Sequence, residues 1–349
     1  MLEKLKELCA LNGVSGNETA VSAYITNRAK VYTDDITVDV MGNVIIGKKG
    51  VKPAGAKASG KKIVLCAHMD EVGVVVTGIT DDGYLKFAMT GGIDSRIVVG
   101  KLLKVGRKGI PGIIGCKAMH LVKAKDREKP AETDDLYIDI FAKDRAAAEE
   151  LVSLGDNGVF DEDIREFGDG FLKAKAIDDR LGCAVLLELI ESDLPVDCTF
   201  VFTVQEEVGL RGAYTAAFKT SPDIALIIEG TTAADLPSVT GTKKVCKPGE
   251  GAVIPFMDGG SIYNKEIREI LTNIAGENNI PWQTKSYVAG STDGAAFQRS
   301  RSGVKTAAIS APIRNLHSPS CVGKISDMDA VLKLTRLFLE KMSTEETGG

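Results

Sequence analysis

The fold is decided by residues 199–219, TFVFTVQEEVGLRGAYTAAFK, where an apolar strand-like run from Thr199 to Val204 precedes a helix-like run from Gly212 to Lys219. The same order recurs further along the chain, with strand-like runs at 224–228 and 304–309 and helix-like runs at 264–278 and 327–342. Alternation of this kind is typical of a parallel sheet covered by helices. The sequence therefore predicts an α/β fold with a mostly parallel sheet and helices on both faces.

The first seventy residues fit the same layer, but the segment that follows them differs. Helix-like runs near 2–11 and 18–28 precede strand-like runs near 36–40, 44–46 and 63–67. From about Val72 to Leu172 the chain shows short strand-like runs punctuated by glycine, with one helix-like run near 146–154. We therefore expect a catalytic domain formed by residues 1–72 and 165–349, with residues 73–164 inserted as a small β-rich domain.

The composition argues against several classes of protein. The chain has 349 residues, 44% of them hydrophobic and 26% charged, which is typical of globular proteins. Lys and Arg are dispersed and the net charge is −5, so no nucleic-acid partner is expected. No apolar run approaches the roughly 20 residues of a membrane span, and residues 1–8 are amphipathic, so we predict a cytoplasmic protein without a membrane partner. The seven scattered cysteines indicate neither a disulfide framework nor a zinc ribbon.

Acidic and histidine side chains follow the strand-like runs. Because the carboxyl ends of parallel strands meet in one crevice, we expect these side chains to converge. The candidate metal ligands are His68, Asp178, Glu207, Glu229 and His317. Two imidazoles and three carboxylates suit two borderline divalent ions that share a bridging carboxylate better than they suit one tetrahedral structural zinc.

Two positions beside these candidates are predicted to support them. Asp70 follows His68 by two residues, so in an extended segment both lie on one face and the carboxylate can hold the imidazole. Glu206 precedes Glu207, and consecutive extended side chains diverge. One glutamate can therefore bind metal while its neighbour faces the substrate.

Two further acidic positions precede helix-like runs. Asp178 and Asp179 come just before an apolar run at 181–187, where carboxylates can cap the helix amides as well as bind a cation. Asp293 lies in the segment GSTDG at 290–294, and it either caps the helix that begins there or lines the cleft. Both alternatives stay open for Asp293.

Four motifs occur in a characteristic order along the chain. They are AHMDEVG at 67–73, DDRLG at 178–182, QEEVGLRGA at 205–213 and RNLHSP at 314–319. This order closely resembles the M42 family of dinuclear metallo-aminopeptidases, which includes proteins labelled glutamyl aminopeptidase or endoglucanase. The resemblance spans essentially the whole chain. The insert lies between His68 and Asp178, which separates the chain from the related M20 group, where the extra domain follows the Glu-Glu motif.

The resemblance implies a metal-binding role for each candidate ligand. Asp178 bridges two metals, with His68 and Glu229 completing one site and Glu207 and His317 the other. The two divalent ions are expected to be zinc or cobalt. Glu229 stands where many members have aspartate, which changes the reach of that ligand by one methylene group.

The resemblance also implies roles for the neighbouring residues. Glu206 is the general base, Asp70 orients His68, and Asp179 follows a cis peptide bond that helps to aim Asp178. Such a base accepts the proton of a water activated by two metals and passes it to the leaving amine. Ser320 and Cys321 stand where an acidic residue is common in the family, and we do not expect this departure to disable the site.

Substrate and assembly are likewise implied by the family. Short peptides with a free amino terminus are the expected substrates, which lose one residue at a time. Residues 73–164 are expected to build homo-oligomers, from a dimer to a hollow tetrahedral dodecamer.

Two rival functions are less consistent with the residues. A glycosidase places two carboxylates about 5–5.5 Å apart across a sugar bond, yet adjacent Glu206 and Glu207 cannot readily flank one bond, and His68 and His317 would have no task. A non-enzymatic, peptide-binding assembly is the second rival. It is disfavoured because every expected ligand and the base are present.

Overall fold

The computed structural model describes residues 1–51, 60–126 and 128–344. Within these residues the chain forms eight α-helices. They are α1 (Leu2–Ala10), α2 (Thr19–Ala29), α3 (Arg145–Glu149), α4 (Ile177–Ile190), α5 (Arg211–Thr220), α6 (Lys265–Glu277), α7 (Gly294–Gln298) and α8 (Ile325–Thr344). The helix predicted near 146–154 corresponds to α3, which has only 5 residues. The side chain of Asp144 caps α3 by accepting the amide of Ala147. No helix in the described ranges is long and apolar enough to cross a membrane.

The same residues form seventeen β-strands. They are β1 (Ile36–Val38), β2 (Val44–Lys48), β3 (Ile63–His68), β4 (Gly73–Ile79), β5 (Leu85–Thr90), β6 (Leu102–Val105), β7 (Ile110–Gly115), β8 (Tyr137–Asp139), β9 (Asn157–Phe160), β10 (Arg165–Phe167), β11 (Phe171–Ala174), β12 (Cys198–Thr203), β13 (Ile224–Thr232), β14 (Ala252–Val253), β15 (Trp282–Gln283), β16 (Lys305–Arg314) and β17 (Cys321–Lys324). Strands β13 and β16 are longer than predicted because they pair with each other from Ile224 opposite Lys305 to Thr232 opposite Ile313. Glu229 consequently lies within β13, and not beyond its end.

The larger sheet is mixed, which corrects the expectation of a mostly parallel one. Its main path runs β1-β2-β12-β3-β13-β16-β17-β11-β10, with β14 and β15 attached beside β16. Neighbouring strands are parallel along β12-β3-β13-β16 and antiparallel over the rest of this path. The antiparallel pairs β1-β2, β10-β11 and β16-β17 are joined by short connections, which cannot carry the crossover that parallel strands need.

Helices cover both faces of this sheet, as predicted. Alternate side chains of a strand point to opposite faces. In β3, Leu65 belongs to the core formed with α1, α2, α4 and α8, where it shares a cluster with Leu181. Cys66 belongs to the opposite core, with Ala213 of α5 and Phe297 of α7.

Strands β4 to β9 form a separate closed barrel. Their order is β4-β5-β8-β7-β6-β9, and the paired strands within it are antiparallel. The barrel has its own hydrophobic core, which includes Val74, Leu85, Leu103, Ile138 and Phe160. A β-rich unit between the first and second halves of the large sheet is thus present. The exact limits 73–164 and the assembly role of this unit stay predictions.

The register of the central strands opens a crevice at their carboxyl ends. Strand β12 ends at Thr203 opposite His68, the last residue of β3. Pairing of β13 with β3 stops at Ile227 opposite Cys66, while β13 continues beside β16 alone. The backbone around Glu229 is therefore left facing an open space on the β3 side.

Candidate metal centre and cleft

The structure brings the five predicted ligands together at the carboxyl ends of the central strands. The Nε2 atom of His68 lies 3.1 Å from Glu229 Oε1 and 3.5 Å from Asp178 Oδ1. The Nε2 atom of His317 lies 3.3 Å from Glu207 Oε2 and 3.7 Å from Asp178 Oδ2. Asp178 therefore stands between two histidine–glutamate pairs, with one carboxylate oxygen toward each.

This cluster fits divalent cations. The Oδ1 atom of Asp178 is buried and makes no hydrogen bond with the described residues. Ligand atoms of His68, Asp178 and Glu207 lie within 4.8 Å of one another, as do those of His68, Asp179 and Glu229. Imidazole nitrogens and carboxylate oxygens are suitable ligands for borderline dications such as zinc and cobalt.

The electrostatics of the cluster also favour a cation. Burial, reinforced by neighbouring acidic groups, raises the pKa of Glu229 well above its usual value and that of Glu207 to about 7. Burial opposes protonation of His317, but the Asp178 and Glu207 carboxylates raise its pKa to about 9. Without a bound ion the carboxylates and imidazoles thus compete for protons, because three buried carboxylates repel one another. A dication removes that repulsion.

Asp178 and Asp179 each take one of the two roles predicted for this pair, which were cation binding and helix capping. The peptide bond between them is cis, as expected. The carboxylate of Asp179 accepts hydrogen bonds from the amide of His68 at 3.2 Å and from the amide of Gly182 at 2.9 Å. Asp179 thus caps the first turn of α4 and holds the end of β3, while Asp178 faces the imidazoles.

Asp70 lies beside His68, as expected, and makes further contacts that were not expected. Its carboxylate accepts the amide of Glu206 at 2.9 Å, the amide of Glu207 at 3.1 Å and the hydroxyl of Ser15 at 2.6 Å. The Nδ1 atom of His68 lies 3.1 Å from the Asp70 backbone oxygen and 3.5 Å from Oδ1. The carboxylate of Asp70 therefore mainly positions the two glutamates, and its backbone carbonyl is the closer partner of the imidazole.

Glu206 and Glu207 lie in a turn beyond β12, and not in an extended segment. Gln205 has a left-handed backbone with a φ of 57°, and the carbonyl of Glu206 accepts the amides of Gly209 and Leu210. The two side chains nevertheless separate. Glu207 faces His317, whereas Glu206 lines the cleft and has no ion-pair partner among the described residues. Burial raises the pKa of Glu206 well above its usual value.

Comparison with known proteins agrees with this geometry. The family described as M42 glutamyl aminopeptidase matches residues 42–334. The chain belongs to the M42 family of aminopeptidases.

Individual M42 proteins are similar to it along their whole length. The lysyl aminopeptidase of Pyrococcus furiosus is 31% identical over 348 residues, covering 97% of each chain. The structure of aminopeptidase APDkam598 from Desulfurococcus kamchatkensis has a TM-score of 0.91 at 34% identity, covering 99% of this chain and 97% of the other. The TET1 peptidase of Pyrococcus horikoshii, described as able to assemble into a tetrahedron or a large octahedral shell, has a TM-score of 0.83 at 34% identity, with 96% and 98% covered. Fold and relatives together indicate aminopeptidase activity.

Asp293 fits neither of its two predicted roles in this M42 chain. It stands at the start of α7, but its side chain makes no capping hydrogen bond. One carboxylate oxygen accepts the hydroxyl of Thr203 and lies 3.6 Å from the Cys66 sulfur. The side chain is buried beneath the cleft, where burial raises the pKa of Asp293 to about 6.

Several residues near the site carried no readable signal. The Nδ1 atom of His317 lies 3.2 Å from the backbone oxygen of Gly92, which follows barrel strand β5. Glu18 accepts the amide of Gln205 at 3.1 Å. A backbone carbonyl has no residue signature, and Glu18 is 187 positions from its partner. Only the clustering of polar residues at 15–18 could have drawn attention to the N-terminal loop.

The predicted ligands lie on one wall of a cleft of about 1090 Å³. Its other walls are largely apolar and include Leu210, Tyr214, Leu236 and Leu316. The cleft also contains two lysines, Lys243 and Lys285, and residues from the loop near Tyr287. A cleft of this size accommodates one end of a peptide, since ligand pockets are commonly about 300–1,000 Å³.

Proposed function

We propose that the chain is an aminopeptidase that uses two divalent metal ions, zinc or cobalt. Its ligands are His68 and Glu229 for one ion, Glu207 and His317 for the other, and Asp178 as the bridge. The observation that carries this proposal is the position of Asp178, whose two oxygens face different histidine–glutamate pairs. One of those oxygens is buried and has no hydrogen-bond partner in the described part of the chain, which suits a site built for a cation.

The mechanism assigns the proton transfer to Glu206. Divalent ions held by these residues would supply Lewis-acid chemistry, lowering the pKa of a water and polarising the scissile carbonyl. Glu206 accepts the proton of the attacking water and gives it to the amine that leaves. Asp70 fixes the backbone on which Glu206 is carried, because its carboxylate accepts the Glu206 amide. Short peptides with a free amino terminus are the proposed substrates.

A chelation experiment tests the metal requirement. Hydrolysis of aminoacyl-p-nitroanilides should vanish with EDTA and return when zinc or cobalt is added. Cellulose-derived oligosaccharides should stay intact under every condition, because Glu206 and Glu207 do not flank a common bond. Metal-independent cleavage of such sugars would support the glycosidase alternative, and no turnover of any aminoacyl substrate would support a non-enzymatic, peptide-binding assembly.

A pair of isosteric variants separates the base from the ligand. Glu206→Gln keeps the size of the side chain but cannot accept a proton, so kcat should fall about 10²–10⁴-fold while two metals stay bound. Glu207→Gln should instead weaken metal binding, because a neutral amide is a poorer ligand than a carboxylate. Metal content and kcat are measured for both. If Glu206→Gln loses metal and Glu207→Gln keeps it, the two roles are reversed.

The barrel unit and the relatives both bear on assembly. The connections between the barrel strands expose large apolar side chains, including Met119, Leu121, Phe141 and Leu154. Exposed apolar surface of this kind marks interaction sites. We infer that residues 73–164 join copies of this chain in a homo-oligomer, from a dimer up to a tetrahedral assembly like the one described for the TET1 relative. We also propose that the protein acts in the cytoplasm.

A further inference from the structure

The segment 204–207, which lies beyond β12 and contains the two glutamates of the site, is held by side chains from distant parts of the chain. Each of its four backbone amides donates to a side-chain oxygen. The acceptors, in order along the segment, are Asn43 at 3.0 Å, Glu18 at 3.1 Å and Asp70 at 2.9 and 3.1 Å. Successive backbone amides commonly bind an anion, and here side chains of the same protein take that place. The conformation of the segment therefore depends on residues far from it in sequence.

The carbonyl groups of the same segment are used on the side of α5. The carbonyl of Val204 accepts the amide of Gly212 at 3.0 Å, and that of Gln205 accepts the amide of Arg211 at 3.2 Å. Gln205 has a φ of 57°, in a region that residues other than glycine seldom adopt. Its left-handed backbone is therefore fixed by hydrogen bonds on both sides.

Glu18 directs its carboxylate at this segment and not at its own helix. It stands just before α2, but its side chain makes no capping hydrogen bond there. One carboxylate oxygen accepts the amide of Gly16 at 2.7 Å as well as that of Gln205, 187 positions along the chain. Glu18 is only 7% exposed. A buried carboxylate thus holds the residue at which the turn begins.

The loop that carries Glu18 is joined to the strand end that carries Asp70. The amide of Ser15 donates to the carbonyl of Glu71 at 3.3 Å, and its hydroxyl donates to Asp70 at 2.6 Å. The amide of Glu71 in turn donates to the carbonyl of Gly13 at 2.9 Å. Glu18 and Asp70 therefore belong to one hydrogen-bonded frame, which keeps the spacing of the two carboxylates fixed.

The carboxylate of Glu206 is not held directly. It lines the cleft, and in the described part of the chain it has no hydrogen-bond or ion-pair partner. Glu207 differs, because its carboxylate lies 3.3 Å from the Nε2 atom of His317. The direction of Glu206 therefore depends on the backbone that precedes it, which turns at Gln205.

We propose that Glu18 is a positioning residue for the general base, because it accepts the amide of Gln205 and so fixes the turn that aims Glu206 into the cleft. This inference rests on the proposed function, since it concerns the base of that reaction. A general base must lie within hydrogen-bond reach of the proton that it accepts. A displacement of about 1 Å in a site can cost about 100-fold in rate. Loss of Glu18 should therefore affect Glu206 from outside the cleft.

The test compares Glu18→Ala with Glu18→Gln and with a matched variant, Asp327→Ala. Glu18→Gln keeps a side-chain oxygen that can accept both amides, whereas Glu18→Ala removes the acceptor. Asp327 is also buried and accepts two amides, those of Gly249 at 2.6 Å and Gly251 at 2.9 Å, in a part of the chain that does not line the cleft. It measures the general effect of losing a buried carboxylate that holds a loop. Glu18→Asp, whose carboxylate is one methylene group shorter, replaces Glu18→Ala if that variant does not fold.

Hydrogen–deuterium exchange measures the turn without any turnover of substrate. In Glu18→Ala the amides of residues 204–207 should exchange about 10-fold faster than in the wild type, because one charged hydrogen bond is lost. Glu18→Gln should exchange nearly as slowly as the wild type. Asp327→Ala should exchange faster at 249–251 and not at 204–207. Unchanged exchange at 204–207 in Glu18→Ala would show that Glu18 does not hold the turn and would overturn the proposal.

Kinetics separate a misdirected base from a loss of folded enzyme. The substrates are leucine p-nitroanilide and leucine methylamide, with zinc or cobalt supplied. Methylamine is the more basic leaving group, so its departure depends more strongly on the proton that Glu206 passes on. In Glu18→Ala, kcat should fall about 10- to 100-fold for the methylamide and by a smaller factor for the p-nitroanilide, with KM and metal content near those of the wild type. Glu18→Gln should restore most of this loss, and any loss in Asp327→Ala should be equal for both substrates.

Each other role of Glu18 gives a different result. Faster exchange with an equal loss on both substrates, or with no loss, would make Glu18 a structural contact only and overturn its role toward Glu206. Loss of metal from Glu18→Ala would assign its effect to Glu207, which also overturns that role. If Glu18→Gln restores neither slow exchange nor kcat, the acceptor oxygen is not what matters and the proposal is wrong. A wild type that exchanges slowly at 204–207 but turns over neither substrate would defeat the proposed function, whereas wild-type turnover by Glu18→Ala would defeat the role of Glu18 alone.

Discussion

A methyl group added at Gly230 tests the position of Asp178 without altering any proposed ligand. Gly230 follows Glu229 in β13, and a Cβ atom there would lie 2.9 Å from Asp178 Oδ1 and 2.8 Å from Ile313 Cδ1. Ordinary contacts begin near 3.4 Å, so the carboxylate must retreat by roughly 0.5 Å. The end of the Ile313 side chain can rotate, whereas Asp178 is buried and held at the start of α4.

The expected magnitude follows from that displacement. Overpacking by one methyl group costs about 1–3 kcal/mol. Because the new methyl group is aimed at the proposed bridging carboxylate, much of this cost should appear as weaker metal binding. Each 1.4 kcal/mol is a tenfold change in an equilibrium constant, so we expect metal affinity to fall about 10- to 100-fold in Gly230→Ala.

The assay is a competitive titration against a chromophoric chelator, followed by activity at limiting and saturating metal. Gly276→Ala is the matched control, because a Cβ atom there meets nothing within 4 Å and the residue lies in α6. This control should gain about 0.5–1 kcal/mol of stability and keep its metal affinity. If Gly230→Ala folds and binds two ions as tightly as the wild type, Asp178 is not part of the metal site.

Three further outcomes are expected. His317→Ala should lower metal content from two ions toward one per chain, because water replaces an imidazole poorly; unchanged affinity at both sites would remove His317 from the ligand set. Glu71→Gln should lower the free energy of unfolding in urea by about 3–5 kcal/mol, because buried Glu71 pairs with Lys175 and Arg180; a change below 1 kcal/mol would show that the pair is dispensable. Light scattering at micromolar concentration should report an oligomer, and a strict monomer of the metal-loaded protein would contradict the assembly role of residues 73–164.

The candidate site was predictable because four of its five proposed ligands end or closely follow a strand, although Glu229 lies within β13. His68 ends β3, and the central strands are parallel, so the crevice at their carboxyl ends follows from the strand–helix alternation. The antiparallel direction of the strands at the sheet edges was not predictable in the same way. Short connections such as the one between β1 and β2 produce antiparallel pairs. The strand–helix alternation elsewhere in the sequence carries no information about these pairs.

Details of the site depended on contacts between distant parts of the chain. The Asp70 carboxylate lies 3.5 Å from His68 Nδ1, as its spacing predicts, but it also accepts amides more than 130 positions further on. The extended geometry expected for Glu206 and Glu207 was wrong because Gln205 adopts a left-handed backbone that starts a turn. Spacing arguments describe neighbours in sequence, so they could not anticipate either contact.

The hydrogen bond between the Gly92 carbonyl and the His317 ring joins the barrel unit to the proposed metal centre. Replacing the barrel unit with that of a relative would therefore affect this centre. The carbonyl of Gly92 lies on the connection that leaves β5, 3.2 Å from the Nδ1 atom of His317, so a segment of the barrel unit orients the ring of a candidate ligand. Swapping this unit for the corresponding unit of a relative would therefore also change the surroundings of a proposed metal ligand. An exchanged unit should preserve the proposed metal centre only where its backbone places a carbonyl oxygen within hydrogen-bond distance of the His317 ring.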